Sequence, residues 1–180
     1  MNELYEPQEK SWGFFCYITF YVYLWCMKNI GTYKLTECEV EYYKKHSDFL
    51  SDGRHVGRIG EEWVAEFVSG VRQPENSPFD ILTDKSEYYE KNIRLEVRSA
   101  IKKVSFASSK EVGYGRTVTE EGFIKKLENL DIFIIIDSRS ITQGYVNFVE
   151  LTKDDVLNFN LGKNKNMSAN KFWKIIDTWK

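Results

Sequence analysis

Two carboxylates stand where burial makes them hard to tolerate. Glu96 lies inside the apolar run Ile93-Arg94-Leu95-Glu96-Val97-Arg98-Ser99-Ala100, and Asp80 opens another, Pro78-Phe79-Asp80-Ile81-Leu82. A carboxylate flanked by Leu95 and Val97 is unfavourable to bury unless a cation or a hydrogen-bond donor neutralises it. On adjacent hairpin strands, the two acids would face one another. They would then hold a hard divalent ion, with water and a phosphate completing its oxygen shell. The plainer alternative is that each acid ends a strand or pairs with a neighbouring arginine. A third acid, Glu61, sits in the helical pattern Arg58-Ile59-Gly60-Glu61-Glu62-Trp63-Val64. On a helical wheel it falls about 60° from Val64, at the edge of the apolar stripe, whereas Glu62 aligns with Glu66 on the solvated face.

The surrounding pattern supplies elements to position these groups. Residues 33–50 read as an amphipathic helix opened by the capping box Thr36-x-x-Glu39. A polar break at Ser51-Asp52-Gly53 follows, then a helix over 58–71 with Val64, Val68 and Val71 on one side. Pro74 and Pro78 bracket a loop, after which the period changes. Residues 79–82, 93–97, 132–136 and 145–149 read as strands, and 119–127 as a helix between them. The run Ile132-Phe133-Ile134-Ile135-Ile136 is continuous rather than alternating, which suits a central strand covered on both faces. Two further helices are expected after Thr152 and after Ser168. Together these elements predict an α/β domain of α-β-β-α-β-β order.

A helix bearing Gly60-Glu61, then Pro78-Phe79-Asp80, then Leu95-Glu96-Val97-Arg98-Ser99 sixteen residues further on, resembles the PD-(D/E)XK nuclease superfamily. Most Type II restriction endonucleases and several DNA-repair and resolvase enzymes belong to it. The likeness spans residues 57–137 and ends on the strand that the family places in the middle of its sheet. It implies a restriction-endonuclease-like core, with a central mixed β-sheet flanked by helices. The one nuclease domain, 1–180, would comprise an N-terminal helical and aromatic extension (1–52), the catalytic core (53–150) and C-terminal helices (151–180).

The resemblance also assigns roles. Asp80 and Glu96 would be the metal-binding acids, the carbonyl of Val97 a third oxygen, and Glu61 a support for the metal or its water. Arg98 falls where the family usually has lysine. Arginine does not give up its proton in proteins and so cannot be a general base, but it can orient a hydroxide and stabilise transition-state charge. Lys102 or Lys103 would then be candidates for the missing ammonium. The implied reaction is endonucleolytic hydrolysis of DNA phosphodiester bonds with Mg²⁺, for which Mn²⁺ would substitute.

Between residues 91 and 126 there are nine basic residues against four acids, a net-positive stretch inside a chain of net charge −2. It includes Lys102, Lys103, Lys110 and Arg116, and with Arg54 and Arg58 these are the candidate contacts to double-stranded DNA. Residues 105–116, with Gly113 and Gly115, read as a flexible loop able to enter a groove. His55 is better suited to a surface or phosphate contact than to catalysis. Beyond the catalytic core the chain has no room for a separate recognition domain. It would therefore work as a homodimer or beside a separate large DNA-recognising subunit. In length it resembles the small catalytic subunit of a heterodimeric Type IIS restriction enzyme.

With 42% hydrophobic and 29% charged residues, the 180-residue chain is neither disordered nor low-complexity. Three cysteines, Cys16, Cys26 and Cys38, with no C-x-x-C spacing, argue against a zinc site or disulfide framework and for a reducing, intracellular compartment; the resemblance to restriction enzymes implies the cytoplasm of a prokaryotic cell. Residues 14–27 are almost wholly apolar, but they fall short of the ~20 needed to cross a bilayer and lack a basic leader. They read as a buried or partner-facing element rather than a membrane anchor. The rival functions are a repair or junction-resolving nuclease with the same chemistry, a non-catalytic DNA-binding module that Arg98 would permit, and an interaction or membrane-associated protein organised by residues 12–30.

Overall fold

The computed structural model describes residues 29–51, 53–84, 89, 91–107 and 118–179. The aromatic segment 14–27, the loop carrying Lys110 and Arg116, and Asp52 at the first boundary lie outside them. Among the described residues no helix is long and apolar enough to cross a membrane.

The organising element is β6 (Ile132–Asp137), and its continuous apolar run is a central strand covered on both faces, as its sequence predicts. Phe133 and Ile135 enter one core while Ile134 and Ile136 enter the other, because successive side chains point to opposite faces. Around it the sheet has six strands. In chain order they are β1 (Asn29–Lys34), β2 (Gly70–Arg72), β3 (Ile81–Thr83), β4 (Arg94–Ser99), β6 and β7 (Tyr145–Thr152), and in space they run β1-β7-β6-β4-β3-β2. β4 and β6 are parallel and every other pair is antiparallel, so the sheet is mixed. Two short strands, β5 (Lys103–Ser105) and β8 (Asn166–Ser168), pair apart from it.

Helices cover both faces. α1 (Glu37–Lys45), the single turn α2 (Ser47–Leu50) and α3 (Gly53–Phe67) lie on the side of Ile134 and Ile136. α4 (Glu120–Glu128), α5 (Lys153–Asn158) and α6 (Ala169–Thr178) lie on the side of Phe133 and Ile135. α6 buries Ala169, Phe172, Trp173 and Ile176, an i, i+3, i+4, i+7 stripe, so its aromatic residues are core rather than a partner-facing surface. Thr152 and Ser168 cap the two helices expected after them, and Thr119, read as the first residue of its helix, is the N-cap of α4.

Two of the helical expectations need correction. The helix read over 33–50 begins only at Glu37, because Thr36 is its N-cap. The Thr36 hydroxyl accepts from the Glu39 N–H at 3.3 Å, and the Glu39 carboxylate accepts from the Thr36 N–H at 2.8 Å. Residues 33 and 34 instead finish β1, where the Tyr33 ring packs on Trp63 and Phe148. The helix breaks at His46 before the extra turn of α2. The second helix runs over Gly53–Phe67, not 58–71; Ser69 turns at φ 54° and Val71 belongs to the edge strand β2, where it is 60% exposed. Short edge strands such as β1, β2, β5 and β8 take their structure from pairing rather than local pattern, which is why they are not read from the chain.

α3 crosses the sheet closely at Gly60. A Cβ there would lie 1.8 Å from Cδ1 of the fully buried Ile136. Gly60→Ala is therefore expected to lower stability by about 1–3 kcal/mol, although alanine is the better helix former by roughly 1 kcal/mol. Urea unfolding measures it, and wild-type stability in the variant would mean that Ile136 can swing aside.

Candidate active site

The β3–β4 register brings the two acids together. Ile81 pairs with Leu95, so the residue before Ile81 lies across from the residue after Leu95, and Asp80 meets Glu96. Asp80 is held there at both ends. Its N–H donates to the Leu95 carbonyl at 2.9 Å, and its Oδ2 accepts from the Val97 N–H at 2.8 Å. Strand alternation sends Leu95 and Val97 into the core beneath α3 and turns Glu96 and Arg98 to the opposite face, toward α4.

Glu96 is 3% exposed and would be intolerable unpartnered. Two cations answer it. The Arg98 guanidinium hydrogen-bonds its Oε1, and Lys126, itself buried, donates to the same oxygen from α4 at 2.8 Å. Arg98 also donates to the Val97 carbonyl at 2.9 Å and lies 3.6 Å from Asp80 Oδ2. Burial pushes the Glu96 carboxyl above its ordinary value, and the nearby Asp80 charge adds to this against the pull of Arg98 and Lys126. Burial likewise raises Asp80, with Arg98 and the Val97 N–H opposing it and Glu61 reinforcing it.

Glu61 stands on the inner edge of α3, as its wheel position predicts, and is near enough to act on Asp80 electrostatically. Its carboxylate is engaged by Arg72 of β2, with Oε2 2.9 Å from Nη2, while the same guanidinium reaches Glu62 at 3.1 Å. The base of the site is pinned by Asp131, which accepts from the backbone and the guanidinium of Arg94 where β4 and β6 begin. That clamp holds the Asp131 carboxyl below its ordinary value.

The ammonium beside the acids comes from an unexpected place. Lys102 and Lys103 are exposed on the stretch that leaves the main sheet for β5, whereas Lys126 sits against Glu96. Lys126 was legible in principle, because it falls within the apolar stripe of Phe123, Leu127 and Leu130, where a solvated lysine has no reason to be. Arg72 carries no comparable signal. Arg54 and Arg58 lie on the exposed side of α3, Arg58 3.9 Å from Glu75. His55 is half-buried and stacks on Phe49 at 4.7 Å.

Among the described residues no three His, Cys, Asp or Glu side chains are grouped to hold a metal. Three oxygens do converge, however: one carboxylate oxygen each from Asp80 and Glu96, and the Val97 carbonyl, all around one cationic group, the Arg98 guanidinium. Such a set fits a hard ion that takes one or two carboxylates and keeps several waters. No protein-family model matches the chain, and neither a curated protein nor a solved structure is significantly similar to it.

Proposed function

We propose that this chain is a metal-dependent endodeoxyribonuclease of the restriction-endonuclease type. The observation that carries the reading is the pair Asp80–Glu96, brought face to face across β3 and β4 with the buried Lys126 ammonium on Glu96. The order of elements adds support. A helix (α3), three antiparallel strands (β2, β3, β4), a crossing helix (α4) and a strand parallel to β4 (β6) form a unit in which β4 carries Glu96 at the centre of the sheet.

Asp80, Glu96 and the Val97 carbonyl would bind Mg²⁺, or Mn²⁺ in its place. Such an ion, when bound, would supply a lowered pKa for the attacking water and countercharge for the leaving 3′-oxygen. Lys126, fixed against Glu96, orients the nucleophile as a preorganised donor. Glu61, clamped by Arg72, reinforces the negative field behind Asp80. Arg98 serves the phosphate electrostatically. Arg54, Arg58, Lys102 and Lys103 are exposed cations suited to duplex phosphates. Sequence recognition would come from a second copy of the chain or from a separate large subunit.

Supercoiled plasmid incubated with Mg²⁺ is expected to become nicked or linear, and EDTA or Asp80→Asn to stop it. Asparagine can still accept the Val97 N–H, so the variant should fold. Cleavage that survives either treatment would sink the proposed site. If wild type leaves the plasmid intact, calorimetry with Mn²⁺ decides: binding that needs Asp80 indicates a missing recognition subunit, and no binding overturns the reading. The second reading, a non-catalytic DNA-binding module, is favoured by one observation, the Arg98 guanidinium lying among the oxygens that a metal would use.

A further inference from the structure

We propose that Arg98 and the divalent ion occupy the same oxygens in turn, and that a DNA phosphate draws Arg98 out, so that metal and DNA bind cooperatively. The inference rests on the nuclease reading and deepens it. Asp80 Oδ2, Glu96 Oε1 and the Val97 carbonyl all face the guanidinium, so the ion and Arg98 cannot both hold them.

Charge argues the same way. In the metal-free cluster Asp80 and Glu96 are balanced by Arg98 and Lys126, two charges against two. A divalent ion entering with both cations in place would set four positive charges against two negative ones in a largely buried site. Glu61 offers little relief, because Arg72 already engages it. One cation must therefore leave or an anion must arrive, and a phosphate exchanged for the two carboxylates does both.

Arg98 is the cation that can move. Its side chain is 23% exposed against 7% for Lys126, so it stands at the mouth while Lys126 is sealed beneath α4. A guanidinium matches phosphate with the same fork geometry that it offers carboxylate, so little is lost in the exchange. The coupling is reciprocal by thermodynamic necessity: DNA raises affinity for metal by the factor that metal raises affinity for DNA.

The test uses the full chain and two probes. In calorimetry without DNA, Arg98→Gln is expected to bind Mn²⁺ about tenfold more tightly than wild type. Arg98→Lys keeps the countercharge of the buried acids and guards against misfolding; it should fall between the two. In fluorescence anisotropy with a labelled duplex, Ca²⁺ should tighten wild-type binding about tenfold relative to EDTA, and Arg98→Gln should lose most of that dependence. Mn²⁺ affinity in both variants equal to or weaker than wild type overturns the exchange while leaving the metal site standing. Absence of Mn²⁺ binding in wild type and both folded variants overturns the exchange and the nuclease reading together.

Discussion

On the proposed nuclease reading, replacing Lys126 by methionine is expected to lower single-turnover cleavage by about 10²- to 10³-fold, the range found when one preorganised electrostatic donor is removed from an active site. Methionine fills the same channel beneath α4 with an apolar stem. Glu96 keeps the Arg98 guanidinium, so the fold should survive with a modest drop in melting temperature. Affinity for DNA should hardly change, because the buried ammonium is in no position to meet the phosphate backbone. The diagnostic is the split: a lost chemical step with intact duplex binding. Duplex affinity falling in parallel with cleavage would make Lys126 a scaffold residue only, and unchanged cleavage would remove it from the site.

The second large effect is on stability. Glu96→Leu is expected to destabilise the protein by about 3–5 kcal/mol, since it leaves the Lys126 ammonium buried without its partner. It should also abolish cleavage outright. The double variant Glu96→Leu/Lys126→Met replaces both buried charges with apolar side chains, and most of the lost stability should return while activity stays absent. Urea unfolding of the two singles, the double and the wild type closes the cycle. Independent, additive losses would show that Lys126 and Glu96 do not interact as their 2.8 Å contact indicates. A double variant as stable as wild type yet inactive would show that the ion pair serves chemistry at the expense of the fold.

Both effects turn on a residue whose importance is hard to read from the chain. Glu96 and Asp80 announce themselves, because an acid in an apolar strand is anomalous in one dimension. Lys126 lies in a charged helix beside the exposed Lys125, thirty positions from the acid it neutralises. Its place in the stripe of Phe123, Leu127 and Leu130 sets it apart from Lys125, but only the packing of α4 on the sheet shows which acid it meets. The same holds for Arg72, which reaches Glu61 only because β2 folds back alongside α3. The helix boundaries missed at 33–36 and 68–71 have a related cause. The capping chemistry at Thr36 is local, but whether the residues before it join a strand depends on β7, more than a hundred positions away.

By itself the sequence determined the main helices and the inner strands around the β6 run, the cap at Thr36, and the acids at 61, 80 and 96. These follow from short-range periodicity and hydrogen-bonding chemistry, which a chain carries within a few residues of each position. Tertiary structure alone decided which cation meets which acid. It placed Lys126 and Arg98 on Glu96, gave Arg72 to Glu61, and left Lys102 and Lys103 in solvent. Ion pairing in a buried site depends on distances of a few ångströms between elements remote in sequence, and those distances exist only once the sheet has set its register and the helices have packed on it.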